Sequence, residues 1–574
     1  MPPLGIGLEP YWSATPLRNI FWNSLSRRWG EVVSYQKRPQ AMPIAASLRS
    51  SKEQSSPVKN YPWRLPLLCV LLLLSTGFTV LLRVTAPPLD GAVTSFVTLW
   101  LVSFLPYFAA CALVLTTKPS GGSQHWMELG IILLGAFVLR LIVLPIPPNL
   151  SHDAWRYLWD ARITLHGYSP YVYYPFAPAL VPLRNITFDN SRFRDVPTLY
   201  PPGAQAFYLL SYLIAPDNLL VLKSIFVGLD LVTCCALAFL LRSRGLDPAR
   251  CIIYAWCPLP ILEFAMQGHH EAITIAFTVL AFICASGTWR GSRIVTGFLI
   301  AMATLTNIYP ILFLVLLLGR GDDSLPATTT LHTGEVSSYF SLARMGLTKI
   351  YDILLWFLGM CRRDWALLAT CFATLILAYM PYLLLGHGQA FGFLTTYASE
   401  QSPNAGSVLL TVHWLGPHVG LSQAATLVLE YGVDLLVVGG VVLVVLWLRK
   451  LDRISIEAGA LLLTGTVFAV STHLYPWYTT ALLPWLALAI GPLWTRKGGV
   501  SGKSLTALMI WYFACISITW YFFFFLSLTS PTWGAYYLLA YDVTLAGLGM
   551  AAALGLWRLR KKVTLSHRQQ SRTP

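Results

Sequence analysis

The segment LPLLCVLLLLSTGFTVLLR, residues 65–83, decides the fold class of this chain. It contains no charged residue before Arg83, and its length is about that which an α-helix needs to cross the hydrocarbon core of a bilayer. Inside a bilayer every backbone polar group must find a partner within the protein, and a single segment achieves this as a helix. The segment therefore predicts an α-helical integral membrane protein.

The composition of the whole chain supports the same class. Of its 574 residues, 56% are hydrophobic and 11% are charged, whereas soluble domains carry about a quarter charged residues. These values exclude an ordinary soluble protein, a disordered chain and a basic nucleic-acid-binding protein. The formal net charge of +15 is therefore interpreted through membrane topology. Membrane lipids are expected partners, and nucleic acids are not.

Apolar segments of similar length recur along the chain. The stretch 294–319 is too long for one span, is interrupted by Asn307 and Pro310, and has arginines on both sides. It is therefore interpreted as two short helices or a re-entrant hairpin, which brings the predicted total to about 14 spans, some of them short or re-entrant. The other predicted spans are 65–83, 92–116, 127–146, 217–241, 251–268, 270–287, 365–385, 424–448, 455–472, 477–494, 505–528 and 535–557.

The distribution of Lys and Arg orients these spans. With both termini in the cytoplasm, 32 of the 40 Lys and Arg residues lie on the cytoplasmic side of a plasma (inner) membrane. The predicted organisation is a flexible cytoplasmic tail over 1–63, a polytopic domain over 64–560 and a basic cytoplasmic tail over 561–574. Within the polytopic domain, 147–216 form a long outer loop and 320–363 form a cytoplasmic linker.

The outward-facing ends of the predicted spans hold most of the histidines and isolated polar residues. Because separate segments supply these groups to one face, they predict a site that opens outwards, away from ATP and nucleotide sugars. The residues concerned are His152, Asp153, His269, His270, Glu271, Asn307, Tyr309, Glu400, His413, His473, Tyr475, Trp477 and Tyr478.

The outer loop begins with the strongest chemical signal in the sequence. On a helix Asp153, Arg156 and Tyr157 share one face, and Asp160 lies one turn beyond. Asp153 follows the third span by seven residues, so its carboxylate could take a proton from an acceptor hydroxyl near the membrane surface. A neighbouring Arg could hold a phosphate. The alternative is a solvated amphipathic helix held together by Asp–Arg pairs.

Five motifs within 129–486 resemble those of one enzyme family. The run 140–171, with Asp153-Ala-Trp-Arg-Tyr-Leu-Trp-Asp-Ala-Arg and Gly-Tyr-Ser-Pro-Tyr, resembles the DxxRYxWDGRxxxxGxNPY signature of bacterial polytopic mannosyltransferases. These enzymes belong to the GT-C superfamily, close to glycosyltransferase family 87 and the mycobacterial α-1,6-mannosyltransferases. The segments 198–204, 254–271, 305–310 and 473–478 resemble the family motifs TxYPPxxQ, YAWxPL…EF…GHND, VKxYP and HPWY in the same order.

The resemblance implies a GT-C-like membrane fold and the transfer of a hexose, expected to be mannose, from a polyprenyl-phosphate sugar to a glycan or glycolipid acceptor on the outer face. It implies Asp153 as the general base. For the donor phosphate, Arg156 is the predicted ligand, together with Arg140 and His473. No cofactor is expected, although a divalent metal at 269–271 is an alternative. The residues predicted to contact acceptor or sugar are Asp160, Arg162, His270, Glu271, Asn307, Tyr309, Trp477 and Tyr478.

Several positions depart from the family pattern. Asn307 replaces a Lys, Glu271 replaces an Asp, Ala161 replaces a Gly, and Leu474 and Tyr475 separate His473 from Pro476. Loss of the Lys removes one cation expected at the donor phosphate. Another donor sugar, or an acceptor such as lipid A or an undecaprenyl-linked oligosaccharide, therefore stays open. A transporter or lipid flippase with the same outward cavity is the alternative from another functional class.

Two structural alternatives accompany the predicted site. Arg140 lies inside a predicted span, where a charge is costly, and it could pair with Glu263 or extend to the membrane surface instead of binding phosphate. Trp477 and Tyr478 could belong to an interfacial aromatic belt instead of a sugar platform.

Overall fold

The computed structural model of the chain describes residues 63–89, 91–118, 122–319, 339–391, 407–471, 474–492, 500–527 and 533–570. Over these ranges the chain is α-helical and contains no β-strand. The all-α, multi-pass membrane fold predicted from the sequence is confirmed. The residues outside these ranges include 1–62 of the predicted N-terminal tail, 320–338 of the predicted linker, and His473.

The structure contains helices of very different lengths. In chain order they are α1 (Arg64–Val84), α2 (Thr94–Val102), α3 (Phe104–Thr116), α4 (Gly122–Val143), α5 (Asp153–Leu165), α6 (Ile186–Asn190), α7 (Pro202–Ile214), α8 (Leu219–Ser243), α9 (Pro248–Ala255), α10 (Pro258–Met266), α11 (Glu271–Ala285), α12 (Ser292–Thr304), α13 (Leu314–Leu317), α14 (Tyr339–Arg363), α15 (Trp365–Leu385), α16 (Ser407–His418), α17 (Gln423–Lys450), α18 (Ile456–Val470), α19 (Pro476–Thr479), α20 (Leu483–Ala489), α21 (Gly502–Ile516), α22 (Thr519–Ser527), α23 (Trp533–Tyr537) and α24 (Val543–Gln570). Three-residue-per-turn helices cover Pro178–Leu183, Tyr309–Phe313 and Thr480–Leu482.

Eight helical segments among the described residues are long and apolar enough to cross a membrane, or nine if the bent pair α9–α10 counts as one span. They comprise α1, α2 with α3, α4, α8, α15, most of α17, α21 with α22, and a segment within α23–α24. Helices α11, α12 and α18 are apolar but shorter. The predicted total of about 14 spans stays a prediction. The second half of the predicted linker forms α14, and the first part of the predicted basic tail continues α24.

The fifth predicted span is broken, since α9 and α10 meet at an angle of 50°. Pro258 begins α10 and lacks the N–H that would continue the helical hydrogen bonds. The carbonyls freed at the break find donors on neighbouring helices: the Tyr107 hydroxyl donates to Ile253 O at 2.7 Å, and Arg140 Nη1 donates to Ala255 O at 2.7 Å. Irregular backbone at membrane depth is tolerated because protein groups supply these hydrogen bonds.

The stretch 294–319 has the interrupted form expected from its Asn and Pro. Helix α12 ends at Thr304, and the chain resumes helical structure at Tyr309. Helix α12 packs against both α11 and α15. A side chain at Gly297 would overlap the Leu367 carbonyl, so α12 and α15 approach each other more closely than larger residues would allow.

Helix α8 connects the membrane core to the predicted outer loop. It packs against α4, α10 and α11, and its neighbours also include α5 and α7, which pack against each other. The start of α5 is thereby held near the turn between α10 and α11. This arrangement brings the Asp153 segment next to residues more than a hundred positions later in the chain.

Candidate active site

Arg156 attaches α5 to the following loop. Its Nε donates to Asp160 Oδ1 at 2.8 Å, Nη1 to Phe193 O at 2.8 Å and Nη2 to Val196 O at 3.0 Å. The Asp–Arg pairing suggested by the sequence therefore forms between Arg156 and Asp160. Since each nitrogen of this buried guanidinium has a protein partner, the predicted phosphate role of Arg156 finds no support in this geometry.

Asp160 and Arg162 extend the same framework. Asp160 Oδ2 accepts from Gln205 Nε2 at 3.0 Å, which links α5 to α7. Arg162 donates to Leu183 O at 2.8 Å and to Asp217 Oδ2 at 2.7 Å. Both side chains are engaged in holding the predicted outer loop together, and their predicted contacts to sugar stay predictions.

A tight turn between α10 and α11 carries the histidine cluster. Gly268 adopts a φ of 77°, a backbone conformation that side chains disfavour, and a Cβ there would lie 3.0 Å from Lys223 Cγ and 3.2 Å from Ala154 Cβ. Oε1 of the preceding Gln267 accepts hydrogen bonds from the backbone N–H groups of Asn149 and Leu150, at 3.1 and 2.9 Å. The turn is therefore attached to the segment that leads into α5.

His269 lies between two carboxylates. Its Nε2 is 3.7 Å from Asp153 Oδ2, and its Nδ1 is 2.8 Å from Glu263 Oε2. The Tyr521 hydroxyl donates to the same Glu263 oxygen at 3.0 Å. The Trp477 ring stacks on the imidazole with centroids 4.0 Å apart and an interplanar angle of 19°. Segments far apart in the sequence thus meet at Asp153.

The surroundings of Asp153 adjust its basicity. Burial of most of its carboxyl raises the pKa of Asp153 above the ordinary value of 3.8, an effect that His269 partly opposes. About a quarter of the side chain, 24%, remains exposed. Burial lowers the pKa of His269 to about 4, so this imidazole is neutral near pH 7. Asp153 is consequently a stronger base than an exposed Asp and can still be reached from outside.

His270 points into a group of tyrosines instead of towards Asp153. Its Nδ1 lies 3.0 Å from both the Tyr157 and the Tyr208 hydroxyls. These two rings stack with centroids 4.3 Å apart and an interplanar angle of 5°, and the Tyr200 ring meets Tyr157 edge-on at 4.8 Å. Burial lowers the pKa of His270 to about 3, so it too is neutral. Its contacts bind the turn to α5 and α7.

Glu271, the first residue of α11, is the least satisfied group at the site. Its side chain is buried, yet among the residues that the structure describes neither carboxylate oxygen has a hydrogen-bond partner. His270 Nε2 is 3.8 Å away, and Asp153 and Asn307 lie within electrostatic or hydrogen-bonding range. Asn307 Nδ2 itself donates to Thr274 Oγ1 at 2.8 Å. An acceptor pair of this kind is expected to be satisfied by a ligand.

Residues 81–319 match the model of the MptA_B family, described as alpha-(1->6)-mannopyranosyltransferase, N-terminal domain. The matched range contains Asp153, the turn at 267–271 and Asn307. This match, which covers less than half of the chain, supports a mannosyltransferase of the GT-C type. The enzyme class predicted from the sequence motifs is therefore confirmed. No curated protein and no solved structure matches the chain.

The pairing of Arg140 with Glu263, one of the structural alternatives from the sequence, is wrong for this mannosyltransferase. Arg140 is fully buried and forms an ion pair with Asp230 on α8, and its Nη1 also donates to Ala136 O at 3.0 Å. Glu263, the partner suggested by the sequence, is bonded instead to His269 and Tyr521. Because Arg140 is enclosed by these groups, the geometry offers no support for its predicted phosphate role.

The aromatic residues of the late motif pack inside the mannosyltransferase. Trp477 is 7% exposed and stacks between His269 and Tyr475, whose ring is 4.5 Å away at 4°. Tyr478 is half-buried, with its ring 5.9 Å from that of Trp477. Burial of Trp477 contradicts the aromatic-belt alternative for that residue. Tyr309 contacts Phe313 and Phe468 and lies within electrostatic range of Glu271.

Sequence reasoning missed three residues that shape this site. Glu263 and Tyr521 lie behind His269 and Asp153, while Asp230 neutralises Arg140. One signal was present, since Asp230 and Glu263 are acids inside apolar segments, and such acids are usually paired. Among the described residues, no group of three or more His, Cys, Asp or Glu side chains is arranged to hold a metal ion.

Proposed function

We propose that this mannosyltransferase transfers mannose from a polyprenyl-phosphate donor to a glycan or glycolipid acceptor on the outer face of the plasma membrane. One observation carries the proposal. A partly exposed Asp153 carboxylate lies within electrostatic range of the buried Glu271, whose two oxygens have no hydrogen-bond partner among the described residues, in a segment that matches a mannosyltransferase family. A base and a hydroxyl-binding acceptor are the groups that sugar transfer to a hydroxyl requires.

The proposed reaction is a single displacement. An acceptor hydroxyl oxygen attacks C1 of mannose, the bond between C1 and the phosphate oxygen breaks, and polyprenyl phosphate leaves as an anion. Asp153 takes the proton of the attacking hydroxyl. The product anomer is therefore opposite to that of the donor. The phosphate ester already activates the sugar, so the step needs neither ATP nor a redox cofactor.

The outer location follows from charge and substrate chemistry. Placing most Lys and Arg in the cytoplasm puts the loop that contains Asp153 outside. A sugar carried on a polyprenyl phosphate is dissolved in the bilayer and can reach an outer site, whereas a nucleotide sugar stays in the cytoplasm. The donor phosphate would then be bound near the membrane surface, where His473 of the late motif is a predicted ligand.

Glu271 is proposed to recognise sugar hydroxyls. A buried carboxylate with two unpaired oxygens is costly unless a ligand supplies donors. Two adjacent hydroxyls of a hexose can donate to the two oxygens at once, and Asn307 lies close enough to contact the same sugar. Tyr309 and Trp477 would then line the apolar side of this sugar site.

Purified protein reconstituted in liposomes provides the test of the function. We expect label to pass from polyprenyl-phosphate [³H]mannose to octyl α-1,6-dimannoside, while GDP-[³H]mannose gives no product. Transfer from GDP-mannose, or better use of polyprenyl-phosphate glucose, would contradict the proposed donor. Movement of labelled lipid across the bilayer without a new glycosidic bond would favour the transporter alternative. Transfer in the presence of EDTA tests whether a divalent cation assists.

Changing Glu271 to Gln is expected to lower kcat/KM by roughly 10- to 100-fold, because charge-assisted hydrogen bonds to sugar hydroxyls contribute about 1.5–3 kcal/mol. Gln keeps the size of the side chain but retains one acceptor oxygen. Rates with 2-, 3- and 4-deoxymannose donors identify the hydroxyl, since the variant should lose nothing further with the donor that lacks it. Glu457→Gln, at the ion pair with Arg244, is the matched control and should keep full activity. An equal rate for Glu271→Gln and wild type with every donor would remove Glu271 from the sugar site.

A further inference from the structure

Three ionisable side chains form a continuous line behind the proposed base. Asp153 Oδ2 lies 3.7 Å from His269 Nε2, and His269 Nδ1 lies 2.8 Å from Glu263 Oε2. Both His269 and Glu263 are completely buried, and the Tyr521 hydroxyl holds the far end of the line. Trp477 covers the imidazole face. The line therefore has one accessible end, which is Asp153.

The proton positions along this line follow from counting charges. If Glu263 is ionised and His269 carries its proton on Nδ1, two carboxylates flank a neutral ring, and the Nε2 lone pair faces the Asp153 anion. In such an arrangement the lone pair and the anion repel each other, and Nε2 is left buried without a partner among the described residues. If a proton lies between Glu263 and Nδ1, Nε2 carries a hydrogen that points at Asp153. This second arrangement satisfies Nε2 and leaves one negative charge, on Asp153.

The surroundings of Glu263 favour the same arrangement. Among the described residues, Glu263 pairs with no Lys or Arg, and its contacts are His269 and the Tyr521 hydroxyl. A proton shared with His269 is therefore the available way to neutralise this buried carboxyl. The burial that keeps His269 neutral near pH 7 agrees with a ring that holds one proton on Nε2.

We propose that His269 and Glu263 are positioning residues for Asp153, in which a proton held between Glu263 and His269 Nδ1 keeps the Nε2 hydrogen directed at the Asp153 carboxylate. The inference rests on the proposed function of Asp153 as the base. One carboxylate oxygen is held by His269, and the other is left to take the proton of the acceptor hydroxyl. The distance of 3.7 Å exceeds a hydrogen bond and is expected to shorten when substrate binds.

Two substitutions at one position separate this role from simple packing. The Asn side chain in His269→Asn ends near the position of Nδ1, so no donor reaches Asp153. The longer Gln side chain in His269→Gln can place an amide N–H where Nε2 was. We expect His269→Asn to lower kcat roughly 10- to 100-fold with little change in KM, a smaller loss than removal of the base itself. His269→Gln should recover most of the lost rate.

A loss of packing alone would not shift the pH dependence of kcat, so this dependence distinguishes a positioning role from packing. A hydrogen-bond donor to the carboxylate favours the anion, so its removal raises the pKa of Asp153. The acid limb of the profile should therefore shift to higher pH in His269→Asn and return towards the wild-type position in His269→Gln. The other titratable groups around Asp153 are unchanged in both variants; they are His152, Arg156, Tyr157, Tyr200, Tyr208, Glu271 and Tyr521.

Variants at Glu263 test the far end independently. Glu263→Gln keeps an N–H that can donate to His269 Nδ1, so the Nε2 hydrogen stays directed at Asp153 and kcat should remain close to wild type. Glu263→Leu should reproduce the rate loss and pH shift of His269→Asn. These two variants also decide the matter if His269→Asn does not fold, as judged by its melting temperature in detergent. His166→Gln, at the exposed end of α5, is the control for the His-to-Gln change.

Different results would overturn different statements. An unshifted acid limb and an unchanged kcat in His269→Asn, together with an inactive Asp153→Asn, would reject the positioning role and leave the proposed function intact. Equal loss of activity in Glu263→Gln and Glu263→Leu would also reject it, because the inference requires the Gln amide to substitute. Normal transfer by Asp153→Asn would instead reject the base on which both proposals depend.

Discussion

Asp153→Asn is expected to lower kcat for mannosyl transfer by about 10²- to 10⁴-fold. The amide has nearly the size and shape of the carboxylate, so the backbone hydrogen bond from Asp153 N–H to Ser151 Oγ, at 3.2 Å, and the start of α5 should persist. What the amide cannot do is accept the proton of the attacking hydroxyl. Initial rates with polyprenyl-phosphate [³H]mannose in liposomes measure the loss, and the KM for donor should change little.

The control for this variant is Asp189→Asn, an acid-to-amide change at an exposed position of the same outer loop, which should leave kcat unchanged. Undiminished transfer by Asp153→Asn at equal protein level would exclude Asp153 as the base.

Wild-type activity should also fall on the acid side. The base acts when deprotonated, and burial raises the pKa of Asp153, so activity is lost as the pH falls through a value above 3.8. A residual activity in Asp153→Asn should lack this limb.

Much of the fold could be predicted because membrane-spanning segments can be identified from the composition of short stretches of sequence. Residues 65–83 form the long apolar helix that their hydropathy indicates, and the interruption at Asn307 separates α12 from the following short helix. The break between α9 and α10 was less predictable. Proline marks its position, but the bend is stable because Tyr107 and Arg140, on other helices, supply the missing hydrogen bonds. Such partners cannot be identified from local sequence.

The candidate site, like the fold, could be predicted only in part. Asp153 and the 269–271 cluster could be assigned to one site because both lie at the ends of predicted spans, and the structure brings Asp153 and His269 together. The partner of each side chain could not be assigned. His269, His270 and Glu271 are consecutive, yet Gly268 and the start of α11 direct them apart. His269 faces the carboxylates of Asp153 and Glu263, His270 faces a group of tyrosines, and Glu271 faces no hydrogen-bond donor among the described residues. Side-chain direction in a tight turn depends on backbone angles that residue type alone does not specify.

Arg140 and Asp230 illustrate why a charge inside a predicted span need not bind substrate. Both side chains are completely buried, one on α4 and the other on α8, and Arg140 also supplies a hydrogen bond to the break in the fifth span. Removing one charge from a buried pair leaves the other without compensation. This situation is far more costly than the loss of an exposed pair.

Arg140→Met is therefore expected to reduce the free energy of unfolding by about 3–5 kcal/mol, the range for breaking a buried pair. The double variant Arg140→Met/Asp230→Leu should recover most of this loss, because neither charge then remains buried. It should stay somewhat below wild type, since Met cannot donate to Ala255 O. Chemical unfolding in detergent micelles measures the three stabilities and the coupling between the two positions.

The comparison pair is Arg162 and Asp217, whose side chains are 22% and 25% exposed. Water can solvate the charge that remains there, so Asp217→Asn, whose side chain also tolerates the φ of 56° at this position, should cost about 1 kcal/mol. If Arg140→Met unfolded at the same denaturant concentration as wild type but failed to bind a polyprenyl-phosphate donor, the ion pair would not be the reason for this Arg. The predicted phosphate role would then be restored. A large loss of stability that Asp230→Leu repairs, with donor binding retained in the double variant, assigns Arg140 to the architecture that holds the site.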